Sequence, residues 1–311
     1  MTLGPGSQQR VLVVGETLVD IVHSPDGAVA EHVGGSPANV AMGIARLGHH
    51  TILATTLGED DHGVRCREQI TGTGVTIDNL DTGAHPTSTA AATIDDSGAA
   101  SYDFDLHWEL RAIEKLERFT HVHTGSIAAT LTPGARVVTQ TLIDARGHAT
   151  ISYDPNVRPT IMGGADEVRP RVEELIALSD VVKASDDDVE WLYAGQSLPD
   201  VMAAWGRLGP GLVVITRGGD GVTYRVTASA EIAHCPARVD QVIDTVGAGD
   251  SFMAGLISGL LDAGLLGDTA ARQRLSTATL EAVAGSVGRA LATSAITVGR
   301  DGAYAPTREE L

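Results

Sequence analysis

From position 10 onward, short apolar runs alternate with longer segments of helical spacing, and this alternation constrains the fold more than any other feature of the chain. "RVLVVGE" (10–16) is almost continuously apolar, the pattern of a strand buried on both faces. "ANVAMGIARLG" (38–48) carries apolar residues at helical spacing and stops at Gly48, a C′ glycine. "HTILATTLG", "THVHTGS", "ATISYDP", "SDVVKAS" and "GLVVITRGG" read as further strands. "DHGVRCREQITGTG", "PGARVVTQTLIDARG", "ADEVRPRVEELIALS" and "LPDVMAAWGRLG" read as the helices between them. Repeated strand–helix alternation dictates right-handed crossovers and a mostly parallel sheet covered on both faces, a three-layer α/β/α body.

Two stretches break the rhythm. Residues 18–35 and 87–108 alternate around the turn sequences "SPDG" and "DDSG" and read as β-hairpins. Together they predict a small antiparallel sheet, a discontinuous lid from about 17–35 and 87–108, over the carboxyl ends of the strands. Neither internal repeats nor a low-complexity linker interrupt the rest. The expectation is one α/β domain over 10–308 behind a disordered tail, 1–9.

The formal charge is −18 and the pI near 4.8, a surface that repels nucleic acid and anionic membranes. Lys115 and Lys183 are the only lysines, so an anion site is expected to use arginine, backbone N–H groups or a metal. Cys66 and Cys235 form neither Cys-x-x-Cys nor a disulfide framework, which fits a reducing cytoplasm. No apolar run is long enough to span a bilayer, and the N-terminus has no signal-peptide core.

"DTVGAGDSFMAG" (244–255) sets small, flexible residues beside one carboxylate, Asp250. A strand is expected over "ARVDQVID" before it and a helix from Asp250 or Ser251 after it. Glycines ahead of a helix leave N–H groups bare, and with the helix dipole these make a pocket for a phosphoryl group. Asp250 is equally a good N-cap, and the glycines equally a tight turn. No G-x-x-x-x-G-K-[ST] occurs, against a P-loop NTPase, and no dinucleotide glycine fingerprint follows the first strand, against a dehydrogenase.

The full segment resembles the C-terminal signature of the PfkB/ribokinase family of carbohydrate kinases, D-T-x-G-A-G-D-x-F, and "VGGSPANVAMGIARLG" (33–48) resembles the family's N-terminal Gly-Gly signature. The resemblance runs in order over almost the whole chain. It implies a ribokinase-like fold, with Asp250 as catalytic base and the amides of Gly247, Ala248 and Gly249 as the anion hole. It implies sugar contacts from Asp20 in "GETLVD", from Gly34, Gly35 and Asn39, and from Asp154, Asn156 and Arg158 in "SYDPNVRPTIM". For the nucleotide it implies Thr216, Gly218 and Gly221 in "VITRGGDGV", together with Thr245. "KASDDDVEWL" occupies the place of the family's N-x-x-E motif but departs from it: the aligned residues are Ser185 and Asp188. Asp188 would act on Mg²⁺ through water, although Ser185 also reads as a plain N-cap. Asp244 and the Val246 carbonyl match positions that bind a monovalent cation, K⁺, in some relatives.

The implied activity is ATP-dependent phosphorylation of a small sugar hydroxyl, with Mg²⁺ and in the cytoplasm. "GGSPANVA" looks most like fructokinase-type members. Residues 101–110 contain no Arg or Lys, which favours a neutral sugar such as fructose over an acidic one such as 2-keto-3-deoxygluconate. A nucleoside kinase of the same fold, or a non-catalytic sugar-binding protein, are the alternatives. Relatives that pair their lids imply a homodimer.

Overall fold

The computed structural model describes residues 9–311 apart from 25, 27, 84, 95–99, 230, 238 and 240. The tail 1–8, the turn "DDSG" and half of "SPDG" therefore lie outside the described residues.

The central sheet has nine strands: β1 (Arg10–Val14), β4 (His50–Thr55), β5 (Thr76–Asn79), β8 (His121–Gly125), β9 (Thr150–Asp154), β10 (Val181–Ser185), β11 (Leu212–Thr216), β12 (Val222–Val226) and β13 (Ile232–Cys235). Their order is β13-β12-β11-β10-β9-β8-β1-β4-β5. Every pair is parallel except β11–β12 and β12–β13, which form antiparallel hairpins at one edge. The chain runs from β1 outward to β4 and β5, then returns to place β8 on the other side of β1. The strand order thus reverses between β1 and β8, the position where open α/β sheets bind ligands.

β1 explains the layering in miniature. Val11 and Val13 enter one core cluster; Leu12 and Val14 enter the other. The first cluster lies under α1 (Ser36–Arg46), α2 (Asp61–Gly72), α8 (Ala248–Asp262), α9 (Thr269–Ser276) and α10 (Leu280–Val298). The second lies under α3 (Gly134–Ala145), α5 (Ala165–Leu178), α6 (Asp186–Leu192) and α7 (Leu198–Leu208), and the four-residue α4 (Pro159–Met162) follows β9 on this side. α8 is apolar around its whole circumference and buried from Asp250 to Leu261. It nests against α10 because Gly255 and Gly259 carry no side chain: a Cβ on either would strike Thr293 or Ser286. No helix among the described residues is long and apolar enough to cross a membrane.

The second sheet contains β3 (Val29–Gly34), β2 (Leu18–His23), β6 (Thr89–Ile94) and β7 (Ala100–Asp105), in that order. Each expected hairpin is antiparallel, and the two meet along β2 and β6, which run parallel. Asp60, the N-cap of α2, anchors this sheet by accepting from Thr87 N–H at 2.7 Å and Thr87 Oγ1 at 2.6 Å.

Two boundaries differ from expectation. The strand expected over "ARVDQVID" is not found among its described residues: β13 ends at Cys235, and the described residues from Pro236 to Asp244 belong to none. Pro236 has no N–H to donate to a ladder. α8 begins at Ala248, not at Asp250 or Ser251, because Gly247 takes the N-cap with φ +73°.

Candidate active site

A cavity of about 1150 Å³ opens between the carboxyl ends of the large sheet and the small sheet. Two helix N-termini meet in its wall. Asp250 lies in the first turn of α8, so it is not the N-cap, and its carboxylate is free to face α1. Oδ1 accepts from Ser36 Oγ at 2.6 Å, and Oδ2 accepts from Asn39 Nδ2 at 2.9 Å. Burial raises the Asp250 carboxyl above its ordinary value, opposed by those two hydrogen bonds and by the fields of Lys183 and Arg158. A desolvated carboxylate with a raised pKa is a better proton acceptor than an exposed one.

With its amide nitrogen committed to Asp250, Asn39 turns Oδ1 away, and that buried oxygen has no hydrogen-bond partner. An orphaned buried acceptor beside a cavity is costly unless a ligand donates to it.

The glycines here answer to measurable crowding. A Cβ on Gly247 would sit 2.5 Å from Ala303 Cβ. A Cβ on Gly35, whose φ is +100°, would sit 2.5 Å from the Glu16 carbonyl oxygen, and one on Gly34 would strike the Asp20 carboxylate. Burial also raises Asp20, against the fields of His32 and Arg158. Of the three expected anion-hole amides, Ala248 N–H is taken by the Thr245 carbonyl at 3.2 Å. Ser251 N–H closes onto the Gly247 carbonyl at 2.8 Å, and among the described residues the N–H of Gly249 has no acceptor.

The one buried lysine, Lys183, lies beneath this wall and outside the cavity lining. Lys183 Nζ lies 3.1 Å from where a Cβ of Gly249 would stand, and 2.8 Å from Asp154 Oδ2. Burial alone would depress this ammonium, but Asp154, with Asp188 and Asp250, raises it above its ordinary value. Burial lifts the Asp154 carboxyl to about 6, still ionised at neutral pH beside its partner. Asp154 is 1% exposed, so it supports the site from beneath and does not line the cavity. The signal in the sequence was a lone lysine inside the apolar strand "VVKAS".

Asn156, held at φ +38°, and Arg158 do line the cavity. Arg158 Nη1 donates to Asn156 Oδ1 at 2.7 Å. Ser185 and Asp188 form a reciprocal capping box on α6, and Asp188 Oδ1 also accepts from Val157 N–H at 2.8 Å. Both residues lie outside the cavity lining. Thr216, Gly218 and Gly221 lie at the β11–β12 connection, also outside that lining, whereas Asp244, Thr245 and Val246 lie within it. Both oxygens of Asp244 accept backbone hydrogen bonds, from Val246 N–H at 3.0 Å and Gly302 N–H at 2.9 Å, which lower its carboxyl. The Ser36 bond to Asp250 spans 214 residues and is invisible in the linear chain.

A buried carboxylate in the first turn of a helix, at the switch point of a doubly wound sheet, can accept a proton from a ligand hydroxyl beside a helix end suited to phosphate. The comparisons agree. The profile described as pfkB family carbohydrate kinase matches residues 8–310. A fructokinase of Escherichia coli is 32% identical over 278 residues, 86% of this chain and 89% of that protein. The structure of a fructokinase with bound ATP from Xylella fastidiosa superposes with a TM-score of 0.83 at 25% identity, covering 97% of this chain and 96% of that one. A fructokinase double mutant from Vibrio cholerae, in fructose, ADP and potassium ion bound form, gives a TM-score of 0.75 at 24% identity over 96% and 94% of the two chains. The chain belongs to the pfkB family of carbohydrate kinases, and it is a sugar kinase.

Proposed function

We propose that the chain transfers the γ-phosphoryl group of ATP to a hydroxyl of a small neutral sugar, fructose before others. The observation that carries the reading is the Asp250 carboxylate, fixed by Ser36 and Asn39 at the bare N-terminus of α8. In this reading a sugar hydroxyl donates to Asp250, and the orphaned Asn39 Oδ1 receives a neighbouring hydroxyl. Asp20, the edge of Gly34–Gly35, Asn156 and Arg158 orient the ring. Asp250 takes the proton as the hydroxyl oxygen attacks the γ-phosphorus. The N–H groups of Gly247 and Gly249 face the charge that spreads over the phosphoryl oxygens, and the buried Lys183 ammonium beneath Gly249 adds its field. The small sheet excludes water from the reaction.

Charge supports a neutral acceptor. Six carboxyls line the cavity (Glu16, Asp20, Glu31, Asp244, Asp250 and Asp301) against the two guanidinium groups of Arg46 and Arg158. The described residues contain no cluster of three side chains able to hold a metal. A divalent ion therefore fits here only if phosphates and water supply most of its ligands, with Asp188 reaching it through water. Mg²⁺ would neutralise the β- and γ-phosphate oxygens. Asp244 and the Val246 carbonyl are the proposed K⁺ ligands, Thr216, Gly218, Gly221 and Thr245 the proposed nucleotide contacts, and the lid the proposed dimer contact.

The test is Asp250→Asn with fructose, ATP and Mg²⁺. Sugar-dependent ADP release should fall by about 10²–10⁴-fold, while the fructose-induced rise in melting temperature persists. Release within a few fold of wild type would remove Asp250 as the base.

A further inference from the structure

The wall of the cavity contains a carboxyl that phosphoryl transfer does not use. Glu16 lies two residues past the end of β1, at the point where the strand order reverses, and is only 5% exposed. Its Oε2 accepts from Ala128 N–H at 3.1 Å, and the Ser126 side chain bonds to the same carboxyl. Both partners belong to the 3₁₀ turn that follows β8 (Ser126–Ala129). Ser126 is held there at φ +55°, a left-handed conformation that a residue with a Cβ keeps only under constraint. Ser126 and Ile127 line the cavity beside Asn156 and Arg158. The Glu16 backbone also meets Gly35 at the entry to α1. One residue therefore ties the β8 turn to the glycine edge of the acceptor end. Packing alone would be served as well by a neutral amide of the same shape, without the cost of burying an ionisable group.

We propose that Glu16 is a positioning residue for the sugar: ionised, it holds the 126–128 turn in the shape that receives the acceptor, and protonated, it loosens that hold. The inference rests on the sugar-acceptor reading above. Burial pushes the Glu16 carboxyl up to about 7, against hydrogen bonds from its own backbone, Ser126 and Ala128 and the field of Arg158. Arg158, from the segment after β9, is the cation acting on it. The β8 turn presents neutral donors, and Asp20 on β2 and Asp250 on α8 share the cavity. Hydrogen bonds to the charged form are the stronger ones. Sugar KM should therefore rise as pH falls through about 7 and level off above it.

The experiment compares wild type with Glu16→Gln for sugar KM, ATP KM and kcat between pH 6 and 8.5. Glu16→Gln is expected to raise sugar KM about tenfold at pH 8, the worth of one charge-assisted hydrogen bond, to flatten its pH step, and to move ATP KM far less. A retained step, or equal changes in all three constants, would overturn the proposal. Ser126→Ala covers the case in which Glu16→Gln does not fold. It removes a bond favouring the charged form, so the step should move to higher pH; an unmoved step also overturns it. If wild type phosphorylates no sugar, the acceptor reading falls by itself, and thermal unfolding still tests Glu16. A carboxyl protonated in the folded state but ionised in the unfolded one makes wild type lose stability from pH 4.5 to 7. Glu16→Gln should lack that slope, and equal slopes would show that Glu16 does not titrate as inferred.

Discussion

The two ends of the cleft are built on opposite principles. At the end proposed for the acceptor Ser36 and Asn39 both donate to Asp250, and Gly34, Gly35 and Gly247 stand where a methyl group would collide. The far end, at Val246, runs out past the cavity lining towards the β11–β12 connection, where Gly218 and Gly219 face open space; Val242, Ile243 and Val246 are 58%, 58% and 56% exposed. The acceptor end is preorganised, as in-line attack by a single oxygen demands. The other end leaves apolar surface bare, to be covered by whatever docks there. The contrast suggests that alignment is built into the chain at one end and completed by the ligand at the other.

The harshest challenge to this contrast is Lys183→Met. It strands the buried Asp154 carboxylate, at a cost of about 3–5 kcal/mol in stability, measurable by denaturant unfolding. It should also lift the acid limb of the kcat profile, because the Lys183 field holds Asp250 down. Asp250 must be ionised to accept a proton, so activity is lost as pH falls through its already raised pKa. Adding Asp154→Asn should restore most of the stability but little of the activity. Recovery of both would make the lysine a purely structural counter-ion.

A smaller effect is expected from Asn39→Ala. Loss of the bond to Asp250 and of the orphaned oxygen should lower kcat/KM for the sugar by about 10²-fold, the worth of two buried hydrogen bonds. KM for ATP should stay within about twofold of wild type. An equal loss for both substrates would erase the distinction between the ends. The mildest is Val242→Ser with Val246→Ser. These exposed positions should change stability by less than about 0.5 kcal/mol each, while KM for ATP rises a few fold and sugar KM holds. If sugar KM moves instead, the open end is not the nucleotide's.

Much of this was legible in the chain because it follows from local pattern. The strands around β1 and the hairpins declare themselves through periodicity, and the two glycine-rich signatures flank the site. What escaped was set by distance in sequence. Asp250 reads as an N-cap until Gly247 proves able to take that place in a left-handed conformation. Asp154 reads as a cleft residue until Lys183, 29 positions on, claims its carboxylate. The parallel join of β2 to β6 cannot be seen from either hairpin alone. The extended look of "ARVDQVID" misleads because β-rich composition survives where Pro236 has already ended the ladder.

The bonds from Ser36 and Asn39 to Asp250 span 214 and 211 residues. A nascent chain leaving the ribosome therefore carries one half of its reactive centre long before the other half is synthesised. On the proposed reading, a product truncated before α8 has no base to offer, so turnover would report on chains that have finished both translation and docking.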